Sequence, residues 1–257
     1  AWGVNTSGNL GNGTTTQSIS PIAVTMPSGV TSFSSISAGG SHSLAIGNNG
    51  KAYAWGLNTY GQVGDDTNTD RLIPVAVTMP SGVTFTRIST SSNSSLAIGS
   101  NGRIYGWGYN VYGQLGDGTN SNRKIPFVVP RPAGVTSFTQ ASIGEADSVA
   151  IGDNGRIYAW GRNAFGAFGN GMTTSSFTPV AVNMPSDVTS FTQVSAGSEF
   201  VVAIGSNGTT RTTYAWGMNS IGQVGDGTTT HRYFPVLVSA PATAVTSVTF
   251  DGVAGTG

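Results

Sequence analysis

Cysteine is absent from the 257 residues, which removes disulfides, thiolate metal sites and cysteine nucleophiles together and leaves the redox compartment open. Charge is scarce. Acidic and basic side chains number 11 each and together make up 9% of the chain, against roughly 25% in an ordinary globular domain. The surface must therefore be wetted by Ser, Thr, Asn and Gly, and it lacks the net basic field that drives non-specific binding to phosphate backbones. Nucleic acid is not an expected partner. Histidine is limited to His42 and His231, so the commonest proton-transfer group is nearly missing. No run approaches the ~20 apolar residues of a membrane helix, and no basic-then-apolar leader opens the chain. Membrane insertion is not expected.

What is abundant is repetition. Each of the five tryptophans is followed by glycine: Trp2, Trp55, Trp107, Trp160 and Trp216, at spacings of 53, 52, 53 and 56 residues. An asparagine follows at a fixed offset (Asn5, Asn58, Asn110, Asn163, Asn219), then a glycine that opens a short Gly-x-hydrophobic-Gly element, then a proline (Pro21, Pro74, Pro126, Pro179, Pro235). Taken from Ser41, one unit reads as four short strands. SHSLAIG is the first, KAYAWG returns after the Asn49-Gly50 turn, Gly61-Gln62-Val63-Gly64 is a third, and Pro74–Val77 a fourth with proline at its first position. Asn-Gly recurs at Asn101, Asn154 and Asn207. No segment has the spacing of a long amphipathic helix.

Four antiparallel strands per unit cannot bury both faces alone, so the units must stack, and a ring of such sheets is a β-propeller. The expected fold is all-β, with five repeats of four-stranded blades, the tryptophans filling the space between blades. The string SHSLAIGNNGKAYAWGLNTYGQVG resembles the repeat of the regulator of chromosome condensation family. That resemblance implies a propeller, usually of seven blades, so five units are either a whole ring or part of a larger one. Residues 1–244 are assigned to the repeats. Residues 245–257 read either as a strand closing the ring or, by resemblance, as the start of an immunoglobulin-like TIG domain. Ala1-Trp2 falls inside a unit, so the chain reads as cut at both ends.

No catalytic set, metal site or cofactor is expected. The two histidines occupy different repeat positions, and the counterparts of His42 are Ser94, Asp147 and Phe200, which is no ligand set. Glu145 and Glu199, the only glutamates, read as solvated loop charges rather than as a glycosidase pair. The Asp-Gly-Thr turns at Asp117 and Asp226, with Asp65-Asp66-Thr67, offer one or two carboxylates each where calcium wants six to eight oxygens.

Residues shared by all units answer to the fold, so recognition is sought where the units differ. The loops entering the first strand carry Ser41 and His42, Asn93 and Ser94, Glu145 and Asp147, Glu199 and Phe200. These would converge on one face near the axis. A second variable row is Asp70-Arg71, Arg123-Lys124, Ser176-Phe177 and Arg232-Tyr233-Phe234, read as outer loops. A third is the hairpin Gly208-Thr209-Thr210-Arg211-Thr212-Thr213, three residues longer than its counterparts. The reading is a non-catalytic scaffold, secreted or on a bacterial cell surface, that recognises a protein or glycan and is monomeric if the ring closes. The family resemblance implies an alternative, guanine-nucleotide exchange on a small GTPase.

Overall fold

A computed structural model describes residues 1–239 of the chain. The described residues form four sheets of four antiparallel strands, each in sequence order. Blade 1 holds β1 (Phe33–Ala38), β2 (His42–Gly47), β3 (Ala52–Gly56) and β4 (Arg71–Ala76). Blade 2 holds β5 (Phe85–Thr90), β6 (Ser94–Gly99), β7 (Ile104–Gly108) and β8 (Arg123–Val128). Blade 3 holds β9 (Phe138–Ile143), β10 (Asp147–Gly152), β11 (Ile157–Gly161) and β12 (Ser176–Ala181). Blade 4 holds β13 (Ser190–Ala196), β14 (Phe200–Ser206), β15 (Arg211–Gly217) and β16 (Arg232–Leu237). The strands β1, β5, β9 and β13 pack side by side in that order, so they are the innermost of each blade. No helix among the described residues is long and apolar enough to cross a membrane.

Three expectations need correction. Gly61–Gly64 is a turn, not a strand. Both glycines have positive φ (82° and 80°), which a ladder does not accommodate. The missing strand lies before Ser41, in the Ser-rich segment Phe33–Ala38. Pro74 is the fourth residue of β4, not the first. It is tolerated because β4 is an edge strand whose register slips between the partners of Ala54 and Gly56. Finally, five tryptophan units give four complete blades. Residues 1–30 contribute turns and one isolated bridge, Gly3 to Ser18. The segment 245–257 lies outside the described residues.

The Gly-x-x-Gly turn is the seat for the next tryptophan. Trp107 Nε1 donates to Gln62 O at 2.9 Å, Trp160 to Gln114 O at 2.9 Å and Trp216 to Ala167 O at 2.8 Å. A Cβ on Gly64 would stand 2.7 Å from Trp107 Nε1, and one on Gly116 2.5 Å from Trp160 Nε1, so no other residue fits there. These three indoles are fully buried between blades, and Trp107 also stacks on Phe85 with ring centres 5.8 Å apart. Trp55 bonds Asn9 O in the same way, at 2.9 Å. Trp2 departs from the expectation. It is 67% exposed because no described residue supplies a seat for it, and with Val4, Phe33 and Ile36 it lines a groove of ≈ 460 Å³ beside blade 1.

Candidate functional site: the loop face

Strand register divides the molecule into two faces. In blade 1, His42 pairs with Gly56 at one end of the β2–β3 ladder and Ile46 with Ala52 at the other. The first end carries the β1–β2 loop and the long link from β3 to β4, and is called here the loop face. The second carries the Asn-Gly hairpin and the link to the next blade, and is the hairpin face. The other blades repeat this arrangement.

On the loop face the loop at 39–41 meets that at 91–93, and the loop at 144–146 meets that at 197–199. Gly40 N donates to Ser91 O at 3.3 Å, Ser198 Oγ to Glu145 Oε2 at 2.9 Å, and Glu199 N to Asp147 Oδ1 at 3.3 Å. Several of the side chains singled out in these loops are not available to a ligand. His42, Ser94 and Asp147 are buried, because the first position of the second strand points between blades rather than outward. His42 Nε2 is 2.9 Å from Ser95 Oγ of the next blade, and Ser94 Oγ donates to Tyr109 O at 2.8 Å. Ser41 and Asn93 are half-buried and use their carbonyls to hold Leu57 N and Tyr109 N. Phe200 is half-buried against Gly197. Arg211 belongs to the hairpin face and joins none of the others.

The two glutamates are not simply solvated. Glu145 is exposed, but Glu199 is 7% exposed, sits at φ 62° and is ion-paired at 2.9 Å to Arg162 Nε. Burial pushes the Asp147 carboxyl well above the usual range, and the charges of Glu199 and Glu145 push it further. Burial also raises Glu199, against the pull of Arg162. His42 shows the opposite sign at the same register position: burial holds it at about 4. Among the described residues, His42 Nδ1 and Asp147 Oδ2 have no hydrogen-bond partner. His231 Nδ1 is occupied, accepting Asn219 N at 2.9 Å.

The side chains that do face outward come from the loop after the third strand, which the sequence reading passed over. Tyr60 and Tyr109 lie 4.8 Å apart, Tyr109 and Tyr112 6.4 Å, and the Arg162 guanidinium sits 5.3 Å over the Tyr112 ring. Phe165 and Ile221 continue the row on blades 3 and 4, and Ile221 is 85% exposed. Glutamines tie this row to the inner loops. Gln62 accepts from Tyr60 N at 2.9 Å and donates to Asn93 at 3.2 Å, and Gln114 accepts from Tyr112 N and donates to Glu145 O. The readable signal was the residue before each Gly-x-x-Gly: Tyr60, Tyr112, Phe165 and Ile221.

The second variable row begins the outer strands rather than lying in loops. Arg71 and Arg123 pair at 2.6 Å with Asp65 and Asp117, and Arg232 pairs with Asp226. Each aspartate also accepts from a threonine two residues on and from the repeat asparagine, as in Asp117 with Thr119 and Asn110. Their oxygens are spent on internal donors. Blade 3 has Asn170 and Ser176 at these positions, so aspartate and arginine are lost together.

An aromatic row with a stacked arginine around buried, internally satisfied loops is chemistry suited to docking a protein surface. The comparisons with known proteins agree in kind. The family described as RCC1-like domain (WD40_RLD) matches residues 1–255, a span that runs across most of the segment resembling a TIG start. The ultraviolet-B receptor UVR8 of Arabidopsis thaliana is 31% identical over 240 residues, covering 93% of this chain and 53% of the receptor. Human HERC2, an E3 ubiquitin-protein ligase, is 31% identical over 210 residues, which is 79% of this chain and 4% of that protein. Among solved structures, human WBSCR16 superposes with a TM-score of 0.79 at 22% identity, over 93% of this chain and 62% of that one. Yeast RCC1 (Prp20), solved bound to Kap60, gives 0.72 at 22% identity, over 88% and 53%. The chain spans about half to three-fifths of UVR8, WBSCR16 and Prp20.

Proposed function

This chain belongs to the RCC1-like domain family, and on that premise we propose that it is a non-catalytic scaffold whose loop face docks a partner protein. The observation that carries the proposal is the row of half-buried Tyr60, Tyr109 and Arg162 around the exposed Tyr112, on loops locked to their neighbours. Aromatic rings and arginine present large contact area at low cost in conformational freedom, which is why they dominate binding hot spots. Yeast Prp20, a solved relative in fold, binds Kap60, and its binding to Gsp1p and histones has been described. Non-catalysis is supported by the chemistry of the face. The buried histidine is held neutral and each charged pair is internal, so nucleophile and base are not juxtaposed.

The test is affinity purification from source cells with quantitative mass spectrometry, comparing the protein with Tyr109→Ala/Tyr112→Ala. A discrete partner should be depleted at least tenfold by the double substitution and retained by Lys51→Gln on the other face. Retention by the double variant contradicts the proposal. Guanine-nucleotide exchange, which the family resemblance implies, is the second reading, and release of fluorescent GDP from a small GTPase decides it. A location on the cell surface is supported by the low charge and hydroxyl-rich composition, and fractionation of the source cells tests it. A glycan ligand is supported only by the aromatic row, and a glycan array tests it.

A further inference from the structure

The zero net charge conceals an uneven distribution. On the loop face each arginine is paired within the chain: Arg71 with Asp65, Arg123 with Asp117, Arg162 with Glu199 and Arg232 with Asp226. On the hairpin face each blade presents one cation after the turn: Lys51, Arg103 and Arg156 at one register position, and Arg211 one position earlier on the longer hairpin of blade 4, opposite Ser206. All four are exposed, and among the described residues none has a carboxylate within ion-pairing distance. Among the described residues, the two acids of this face are occupied by neutral donors. Asp153 accepts from Thr136 and from Ser137 N, and Asp187 accepts from Tyr214 Oη at 2.6 Å.

The turns that carry these cations are rigid. In blades 1 to 3 the turn asparagine accepts the cation's own backbone N–H at 3.1 Å, and donates its amide to a tyrosine hydroxyl at 2.9, 2.9 and 2.8 Å. Gly50, Gly102 and Gly155 supply the positive φ the turn requires. In blade 4 Asn207 instead holds Thr209 N and Thr210 N at 2.9 and 2.8 Å, carrying Arg211 on its longer hairpin. Beside blade 2, Arg131 donates to Asn101 O at 2.8 Å, adding a fixed guanidinium to the arc. Leaving guanidinium groups unpaired while the carboxylates of the same face are satisfied elsewhere keeps them available to an outside acceptor.

We infer that the hairpin face is a second interaction surface, which takes a protein partner bearing carboxylates spaced to the blades. The spacing selects this partner class. Single cations, one per blade and separated by neutral Ser, Thr and Asn, do not match a duplex that carries one charge per ~1.7 Å. A rigid arc gains most from an equally rigid acceptor, since little ordering entropy is then lost, and three of the four cations are arginine, whose planar fork fits carboxylates bidentately.

The experiment uses the full chain and fluorescence anisotropy with labelled poly-L-glutamate as the probe, with a heparin oligosaccharide and duplex DNA as comparison probes. Poly-L-glutamate should bind at 50 mM salt, weaken steeply by 300 mM, and lose at least tenfold in affinity with Lys51→Gln/Arg103→Gln/Arg156→Gln/Arg211→Gln. Tyr109→Ala/Tyr112→Ala should bind it as the unaltered chain does, which separates this surface from the loop face. Reversal of all four cations to glutamate should create binding to poly-L-lysine, a gain that a misfolded protein would not show. Undiminished binding by the glutamine variant, or no gain by the reversed one, overturns the inference. So does binding of heparin or DNA without binding of poly-L-glutamate.

Discussion

The same strands end in two different ways. At the loop face, the arginines are turned inward: each is clamped on a largely buried carboxylate, Asp65, Asp117, Glu199 or Asp226, and Tyr112 and Ile221 are offered to solvent. At the hairpin face, carboxylates are satisfied by hydroxyl and amide donors and the cations point outward. The lesson is that one kind of charged side chain does two jobs in a single repeat. Removing a paired arginine at the loop face should therefore cost stability, and removing a cation at the hairpin face should cost binding.

The sharpest test of that division is pH. His42 is buried and neutral, with its pKa lowered from 6.5 to about 4. The unfolded chain takes up the proton first as pH falls, so the stability tied to neutral His42 is complete above about 6.5 and is lost progressively towards 4. That contribution amounts to about 3 kcal/mol, and His42→Gln should flatten the slope in chemical denaturation across this window. Asp147 has the opposite sign. Its raised pKa means that stability falls as pH rises above the unfolded carboxyl value near 4, so Asp147→Asn should stabilise at pH 7 and change little at pH 3. Arg103→Gln should leave the profile unaltered, and a shift in its slope would break the comparison.

A smaller effect is expected from the paired arginines. Asp117 has a fully buried side chain. Burial alone would raise its pKa, and the hydrogen bonds from Arg123 and Thr119 outweigh it and hold it low. Arg123→Ala strands that carboxylate and should cost about 2 kcal/mol, whereas Arg103→Ala should stay within about 0.5 kcal/mol, both read from urea midpoints. The smallest effect belongs to blade 3. Installing the absent pair with Asn170→Asp and Ser176→Arg should give a favourable coupling of roughly 0.5–1 kcal/mol in a double-mutant cycle. An unfavourable coupling would show that the pair is not transferable between blades.

Much of the fold was legible because the repeat forces it. The Asn-Gly turns lie where the sequence puts them, with Gly102 and Gly155 at φ 69° and 72°. Phe33–Ala38 was missed because Ser34, Ser35 and Ser37 give an innermost strand almost no apolar alternation. Gly61–Gly64 was misread because Gln62 and Val63 imitate a strand while both are buried under the next blade. The common end of the first-strand loops could be seen in the repeat register, but the inward aim of His42 and Asp147 could not, since it depends on which blade packs behind them. The cation after each of Asn49-Gly50, Asn101-Gly102 and Asn154-Gly155 was visible as a string. Its meaning needed the ion pairs of the opposite face.

The most direct measurement is thermal unfolding of two matched variants, Arg71→Gln/Arg123→Gln/Arg232→Gln on the loop face and Lys51→Gln/Arg103→Gln/Arg156→Gln/Arg211→Gln on the hairpin face. The account predicts a melting temperature lowered by several degrees in the first and unchanged within a degree or two in the second. Equal losses in both, or a loss confined to the second, would contradict the division of labour between the faces.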